Sequence, residues 1–407
     1  MAVESNDDFG KRVLDKILTD ALTSNERPSL RDLYEKKLKE VGLSSRMMRT
    51  LLGIEQYALD SILDGTAELP DALKMLKLAD FLEIEAGEIM ELFVRNSTPA
   101  QVAKLNQARQ ASFIVKAFDL KQLKKHGVID QLTDFNKIEE RLCGFLGLAK
   151  IEDYRDRLNQ SLLYSRTRRA PNNKMLDFWT KSAFQYFTAL ANPHEYDREA
   201  LKDILPKIKP YTRDTVDGLL TVVKALYNVG VTVIYQPSLT GIQVRGATMR
   251  VNDKPCVVLS GYRSYATVWF TLLHELYHVL FDFDSILSYH LTGEPDLFLM
   301  NEEQADEFAA DYLLPPERMS FIKPFIYDQM IVERTAREIQ VHPSIIYGQY
   351  QYRMARAGDE SVWSKFTKYM PDKDVMLSKL NACNWDTESI KLNAERIREV
   401  LDVTRRP

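Results

Sequence analysis

The segment TLLHELYHVLFDFD, residues 271–284, holds two of the chain's six histidines, His274 and His278, with Glu275 directly after the first. On an α-helix, residues i and i+4 stand one above the other on one face. Two imidazole nitrogens at this spacing can reach one cation at about 2.0–2.1 Å without bending the backbone. A carboxylate beside the first ligand projects next to the metal rather than onto it. There it can take a proton from a water and return it to a leaving amine. That is the chemistry carried by an H-E-x-x-H helix, with zinc as the expected ion. The pattern also arises by chance, but its flanks argue against chance here. Phe270, Leu273, Leu276, Tyr277, Val279 and Leu280 predict a mostly buried helix. Two histidines and a glutamate buried without partners would cost roughly several kcal/mol, so a metal or a fully satisfied polar network is required.

Two histidines leave zinc one protein ligand short of the three that a catalytic site uses, with the fourth position left to water. The segment NEEQADEFAADYLLP, residues 301–315, offers Glu302 and Asp306 at the same i, i+4 spacing. Glu302 can complete the metal shell. Asp306, one turn on, can accept the spare N–H of a ligating histidine and fix its tautomer. Glu303 projects about 100° away on a helix and Glu307 lies a turn further along, so both are weaker candidates. Taken alone, acids at the start of this helix would be explained by its dipole; beside an H-E-x-x-H they read as ligands. An oxyanion donor is also needed, for which Tyr289, His290 and Tyr347 are the candidates.

The elements that must position these residues follow from periodicity. Residues 1–28 suggest a short helix and a polar lead. Over 30–95, short helices are punctuated by Gly42, Gly53 and Gly65, with a helix opening at Pro70, which fits a helix-turn-helix bundle. NSTPAQ, 96–101, reads as a linker. Residues 101–230 look helical, interrupted by the turn-rich basic stretches SRTRRAPNNK and LPKIKPYTRD. At 231 the period changes. VTVIYQP, GIQVRGATMRV and KPCVVLSG are short, β-branched and separated by turn residues, which predicts a small sheet. KPCVVLSG, leading into the metal helix, is the expected edge strand to which an extended substrate could add by main-chain hydrogen bonds. Helical spacing then returns and continues to the C-terminus. The expected fold class is α+β and predominantly helical: a helix-turn-helix domain over 1–95, a helical connecting region over 96–210, a zincin-like peptidase domain over 211–330 and a helical C-terminal region over 331–407.

The run from GVTVIYQP to HELYHVLF, followed by EEQADEFAADYLLP, resembles the ImmA/IrrE family of bacterial metallopeptidases, and more closely its long members with an N-terminal XRE-type helix-turn-helix. The second family motif is matched by Glu302, Ala305, Asp306, Phe308, Ala309, Ala310, Leu313, Leu314 and Pro315, with Asp306 where Asn is usual. The resemblance is specific over 229–316 and looser over 30–95. It implies a zinc endopeptidase that cleaves a repressor- or antitoxin-like regulatory partner in a stress, toxin–antitoxin or phage-related response. The alternative is a transcription regulator or antitoxin whose peptidase fold serves as sensor or scaffold.

The remaining numbers bound these readings. The formal net charge of −4 over 407 residues excludes whole-molecule attraction to nucleic acid. Over 30–95, thirteen acidic residues outnumber nine basic ones, so DNA contact would rest on a local patch: Arg46 and Arg49 for phosphates, Gln56 and Ser61 for bases. A docking or dimerisation role for this region, and with it a homodimer, is the competing reading. Three well-separated cysteines suit a reducing compartment. No apolar run approaches the roughly 18 residues of a membrane span, and the N-terminus is polar. A cytoplasmic protein without membrane partners is expected.

Overall fold

The computed structural model describes residues 28–402, apart from 69, 155–173, 262, 287–288, 293–298 and 360. The expected N-terminal helix and most of SRTRRAPNNK lie outside the described residues. The chain divides into two compact units between Ser112 and Phe113. The break falls inside the helix Pro99–Ala117 rather than at NSTPAQ.

Among its described residues the first unit has five short helices, α1 (Leu30–Val41), α2 (Ser45–Leu52), α3 (Gln56–Leu63), α4 (Ala72–Leu82) and α5 (Ala86–Asn96). Their ends follow local chemistry. Ser29 and Asp32 form a capping box, Ser44 caps α2, and Gly42 and Gly53 close α1 and α2 in the left-handed conformation. The helix expected to open at Pro70 opens two residues later. Asp71 is its N-cap, accepting from the amides of Leu73 and Lys74, because a carboxylate satisfies those donors and proline cannot. Leu30, Tyr34, Leu59, Ile62, Leu78 and Leu92 are among the side chains that fill the core of this unit.

The second unit is α+β and mostly helical. Its elements around the site are α6 (Lys174–Leu190), α7 (Gly218–Asn228), β1 (Thr232–Tyr235), β2 (Gly246–Val251), β3 (Lys254–Leu259), α8 (Tyr265–Tyr277), β4 (Tyr289–Thr292), α9 (Leu299–Leu313), α10 (Pro343–Arg356), α11 (Val362–Lys365) and α12 (Ile390–Leu401). One continuous core runs from Ile114 to Leu401. The stretches read as connecting region, peptidase domain and C-terminal region therefore bury their apolar faces against one another rather than in separate cores. Trp179 and Trp269 are fully buried in it. Each such aromatic removes roughly 150–250 Å² from water, a gross gain of about 4–6 kcal/mol at 25 cal/mol per Å².

The sheet is four-stranded and mixed, in the order β1-β3-β2-β4. β2 and β3 form a hairpin whose two turn residues, Asn252 and Asp253, both have positive φ, the two-residue turn that matches strand twist. β1 runs parallel to β3. The strand expected at the edge, Lys254–Leu259, is therefore internal, because β1 and β2 occupy both its sides. The outer strands are β1 and β4. The Tyr235 carbonyl of β1 is already taken by the Cys383 amide at 2.9 Å, whereas β4 was not foreseen from the sequence.

Helix α8 is buried almost all round, as expected of a helix apolar on every face. Ser264 caps its start. Helix α10 crosses it closely at Gly348, where a β-carbon would lie 2.5 Å from Ala266 Cβ. Replacing a helical glycine gains up to about 1 kcal/mol in propensity, but the overpacking at this crossing outweighs it. Gly348→Val is expected to lower stability by about 2–3 kcal/mol, read as a reduced urea midpoint with unchanged slope. An unchanged midpoint would show that the crossing tolerates bulk.

Candidate metal centre

His274 lies in the last turn of α8. The chain then opens into one π-helical turn, His278–Asp282, a local widening often found at functional sites. The carbonyl of Val279 in this turn accepts a hydrogen bond from the Tyr196 hydroxyl at 2.9 Å, which helps hold the turn in place. Helix α9 packs alongside α8 and supplies Glu302 and Asp306. His274, Glu275 and His278 are at most 1% exposed.

The structure brings the three expected ligands together. His274 Nε2 and His278 Nε2 are 3.2 Å apart. Glu302 places Oε1 3.2 Å from His278 Nε2 and Oε2 3.5 Å from His274 Nε2. Three ligands at about 2.0–2.1 Å around a tetrahedral zinc ion would be separated by about 3.3–3.4 Å, so the spacing of the donor set fits that ion.

The hydrogen bonds behind the imidazoles set their polarity. His274 Nδ1 donates to Asp306 Oδ1 at 3.0 Å, and His278 Nδ1 donates to Asp282 Oδ2 at 2.7 Å. Carboxylates only accept, so neutral imidazoles carry their proton on Nδ1 and turn a lone pair on Nε2 inward. Two such lone pairs and the Glu302 oxygens then face one another. Such a cluster requires a cation. Without a metal, a proton serves. Burial by itself lowers the His274 pKa, but the hydrogen bonds to Asp306 and Glu302 outweigh it and raise it to about 10. His278 is raised in the same way by Asp282 and Glu302 against burial. Asp306 is held below the ordinary carboxylate value: burial opposes this, but the bonds from His274 and Tyr352 prevail.

Glu275 is cradled by strand β2. Its Oε2 accepts from the Thr248 hydroxyl at 2.6 Å. Its Oε1 lies 2.6 Å from the point that a β-carbon on Gly246 would occupy. Residues 246 and 248 share one face of the strand, so a glycine and a hydroxyl residue at this spacing hold the carboxylate against the sheet.

Several partners were missed in the sequence. Asp282 stands i+4 from His278 and could have been found by the spacing that revealed the histidines. Thr248 and Gly246 needed the sheet register against α8. Tyr352, from α10, donates to Asp306 Oδ2 at 2.5 Å. It is kept protonated by burial and by Asp306, which push its pKa up to about 12. No sequence signal links positions 306 and 352. Of the oxyanion candidates, Tyr347 is buried in a stack with Phe366 and Tyr369, at 4.9 and 4.6 Å between ring centroids. The side chains of Tyr289 and His290 lie outside what the structure describes.

In the first unit, Arg46 is exposed on α2. Arg49 donates to Gln56 Oε1 at 2.8 Å, and the half-buried Ser61 donates its hydroxyl to the Ala58 carbonyl at 3.0 Å. Arg31 is paired with Asp60 and Asp64 of the α3 region. The basic and polar residues considered for DNA are thus partly engaged within the unit.

Residues 228–347 match the model of the Peptidase_M78 family, the IrrE N-terminal-like domain. The span covers β1 to β4, α8, α9, the three candidate ligands and Glu275, Asp282 and Asp306, while Tyr352 lies just beyond it. Peptidase_M78 is a zinc metallopeptidase family, and the match supports metallopeptidase chemistry in general for this part of the chain. No curated protein and no solved structure matches the chain significantly. No described helix is long and apolar enough to cross a membrane.

Two outcomes follow from this geometry. Thr248→Val, which keeps the volume and removes the hydroxyl, should leave zinc content intact and reduce hydrolytic activity roughly 10–100-fold. A loss of zinc instead would place Thr248 in metal retention. The second outcome concerns pH. The raised pKa of His274 stabilises the metal-free fold fully below its unfolded value of about 6.5, and that contribution is lost as pH rises toward about 10. Zinc must displace the same proton. The rise in melting temperature on adding zinc to chelator-treated protein should therefore grow between about pH 6.5 and 9; a shrinking rise would contradict the assignment.

Proposed function

We propose that this chain is a zinc-dependent endopeptidase that cleaves a regulatory protein partner, repressor- or antitoxin-like, in a stress, toxin–antitoxin or phage-related response. The observation that carries the enzymatic part is the meeting of three acceptors, His274 Nε2, His278 Nε2 and the Glu302 carboxylate, at zinc-like spacing with Glu275 beside them. The regulatory partner rests on the resemblance over 229–316. A first unit of short helices, proposed as an XRE-type helix-turn-helix, would serve to dock that partner or its DNA.

His274, His278 and Glu302 would hold the ion, which when bound supplies Lewis-acid polarisation of a carbonyl and acidifies a water. The chain's own groups do the rest. Glu275, held by Thr248 and by the absence of a side chain at Gly246, takes the proton from the attacking water on its carboxylate and returns it to the departing amine. Asp306 and Asp282 keep the imidazoles in the tautomer that faces inward. Tyr352 keeps Asp306 in place and offers a protonated phenol at the edge of the cluster. The edge strand β4 is the proposed rail for an extended substrate, in place of β3.

Metal analysis and a cleavage assay on partner proteins encoded nearby test this reading. Zinc should accompany the wild-type protein and be lost in His274→Ala. Glu275→Gln should retain zinc and lose cleavage by about 10³-fold or more. Zinc held equally by His274→Ala would refute the ligand set, and cleavage surviving Glu275→Gln would refute the base.

A further inference from the structure

The first unit leaves two apolar pairs uncovered. On α2, Met47 and Leu51 stand one turn apart and are 56% and 71% exposed. On α4, Leu73 and Leu76 are 62% and 52% exposed. Residues three or four apart share a helix face, so each pair forms a patch. The two patches adjoin. Helices α2 and α4 pack together, and Lys77, one turn after Leu73, donates from Nζ to the Leu52 carbonyl at 2.9 Å. Single exposed leucines need no explanation, but four large apolar side chains on two touching helices mark an interaction surface.

The charge of this face narrows its partner. Within their helical spans α2 and α4 carry Arg46, Arg49, Lys74 and Lys77 against one acid, Asp80. The face is therefore basic in a unit where acids outnumber bases. A second copy of the same face would bring like charges together. Apolar side chains offer nothing to phosphates. An amphipathic helix with acidic margins matches both the apolar and the charged parts.

The sequence of this chain supplies that pattern just ahead of Pro28, where the described residues begin. In FGKRVLDKILTDAL, residues 9–22, Val13, Ile17 and Ala21 fall in one i, i+4 row and Leu14, Leu18 and Leu22 in the next. Arg12, Asp15, Lys16, Thr19 and Asp20 fall on the opposite side, with Asp15 and Asp20 at the two margins of the apolar rows. Residues 1–27 hold six acidic and four basic residues, opposite in sign to the face. A helix of about three turns is marginal in water by itself and needs a surface to pack on. The surface is within reach. From Leu22 to Leu30 the chain can span about 26–29 Å, more than the radius of gyration of about 11 Å for a unit of this size, and α1 packs against α4.

We propose that residues 13–22 dock in cis on the α2–α4 face of the first unit, laying their two apolar rows against Met47, Leu51, Leu73 and Leu76. The docking needs neither the metal nor hydrolysis. It has a consequence for binding: any other helix that uses this face competes with a tethered segment whose effective concentration is on the order of mM.

Hydrogen exchange on the full-length protein tests this. Amides of residues 13–22 should exchange at least roughly 10-fold more slowly in the wild type than in a Leu51→Lys, Leu73→Lys double variant, with protection in the second unit unchanged. Both substituted side chains are exposed, so the unit should keep its fold, which its own core amides report. Leu51→Met, which keeps the apolar contact, should preserve the protection. The reciprocal Ile17→Asp, Leu18→Asp variant should lose it and should bind a labelled peptide of residues 9–24 at least roughly 10-fold more tightly than the wild type, whose face is already filled. Amides of 13–22 that are unprotected in the wild type overturn the proposal. So does protection that survives Leu51→Lys, Leu73→Lys, which would put the segment elsewhere. Protection that disappears on dilution, together with a dimer-to-monomer transition, would assign the face to a second copy instead.

Discussion

The constraint on which this structure depends is the meeting of lone pairs in a place water barely reaches. Two imidazoles are polarised by carboxylates behind them and aim their unprotonated nitrogens at a third carboxylate, with separations of 3.2–3.5 Å. Acceptors do not attract one another, and their burial has a cost that only a positive charge offsets. The raised pKa values of His274 and His278 express this need in the metal-free chain. A divalent ion satisfies it better than a proton because one charge centre can bind all three groups at once.

The surrounding fold keeps that arrangement from relaxing. If α9 could swing away, Glu302 and Asp306 would move into water and the imidazoles would lose their partners. Packing against α8 and the bond from Tyr352 of α10 oppose this, and α10 itself is held close by the small contact at Gly348 and Ala266. The sheet contributes on the other side, where β2 holds Glu275. Because one core extends from Ile114 to Leu401, the helices beyond the matched family span belong to the same packed body as the cluster. They are supports of the site rather than an appended domain.

The first unit contrasts with this. Some of its basic side chains are engaged locally, with Arg31 bridging to Asp60 and Asp64 and Arg49 donating to Gln56. Such exposed pairs contribute little stability, but they reduce the positive charge available for phosphates. This is in keeping with the docking role proposed above for the unit.

The sequence by itself determined the features that depend on short spacings. The i, i+4 pairs His274–His278 and Glu302–Asp306, the helix ends at Gly42 and Gly53, and the change of period at 231 are all local, because a few residues of helix or strand set which side chains share a face. Asp282 was legible by the same rule and was passed over. Tertiary structure alone decided what lies between elements: the order of the strands, which moved Lys254–Leu259 from the edge to the interior; the cradle of Gly246 and Thr248 around Glu275; and Tyr352 behind Asp306. Those relations join residues tens of positions apart through strand register and helix crossing. Backbone hydrogen bonding and side-chain volume fix them only once the core has closed.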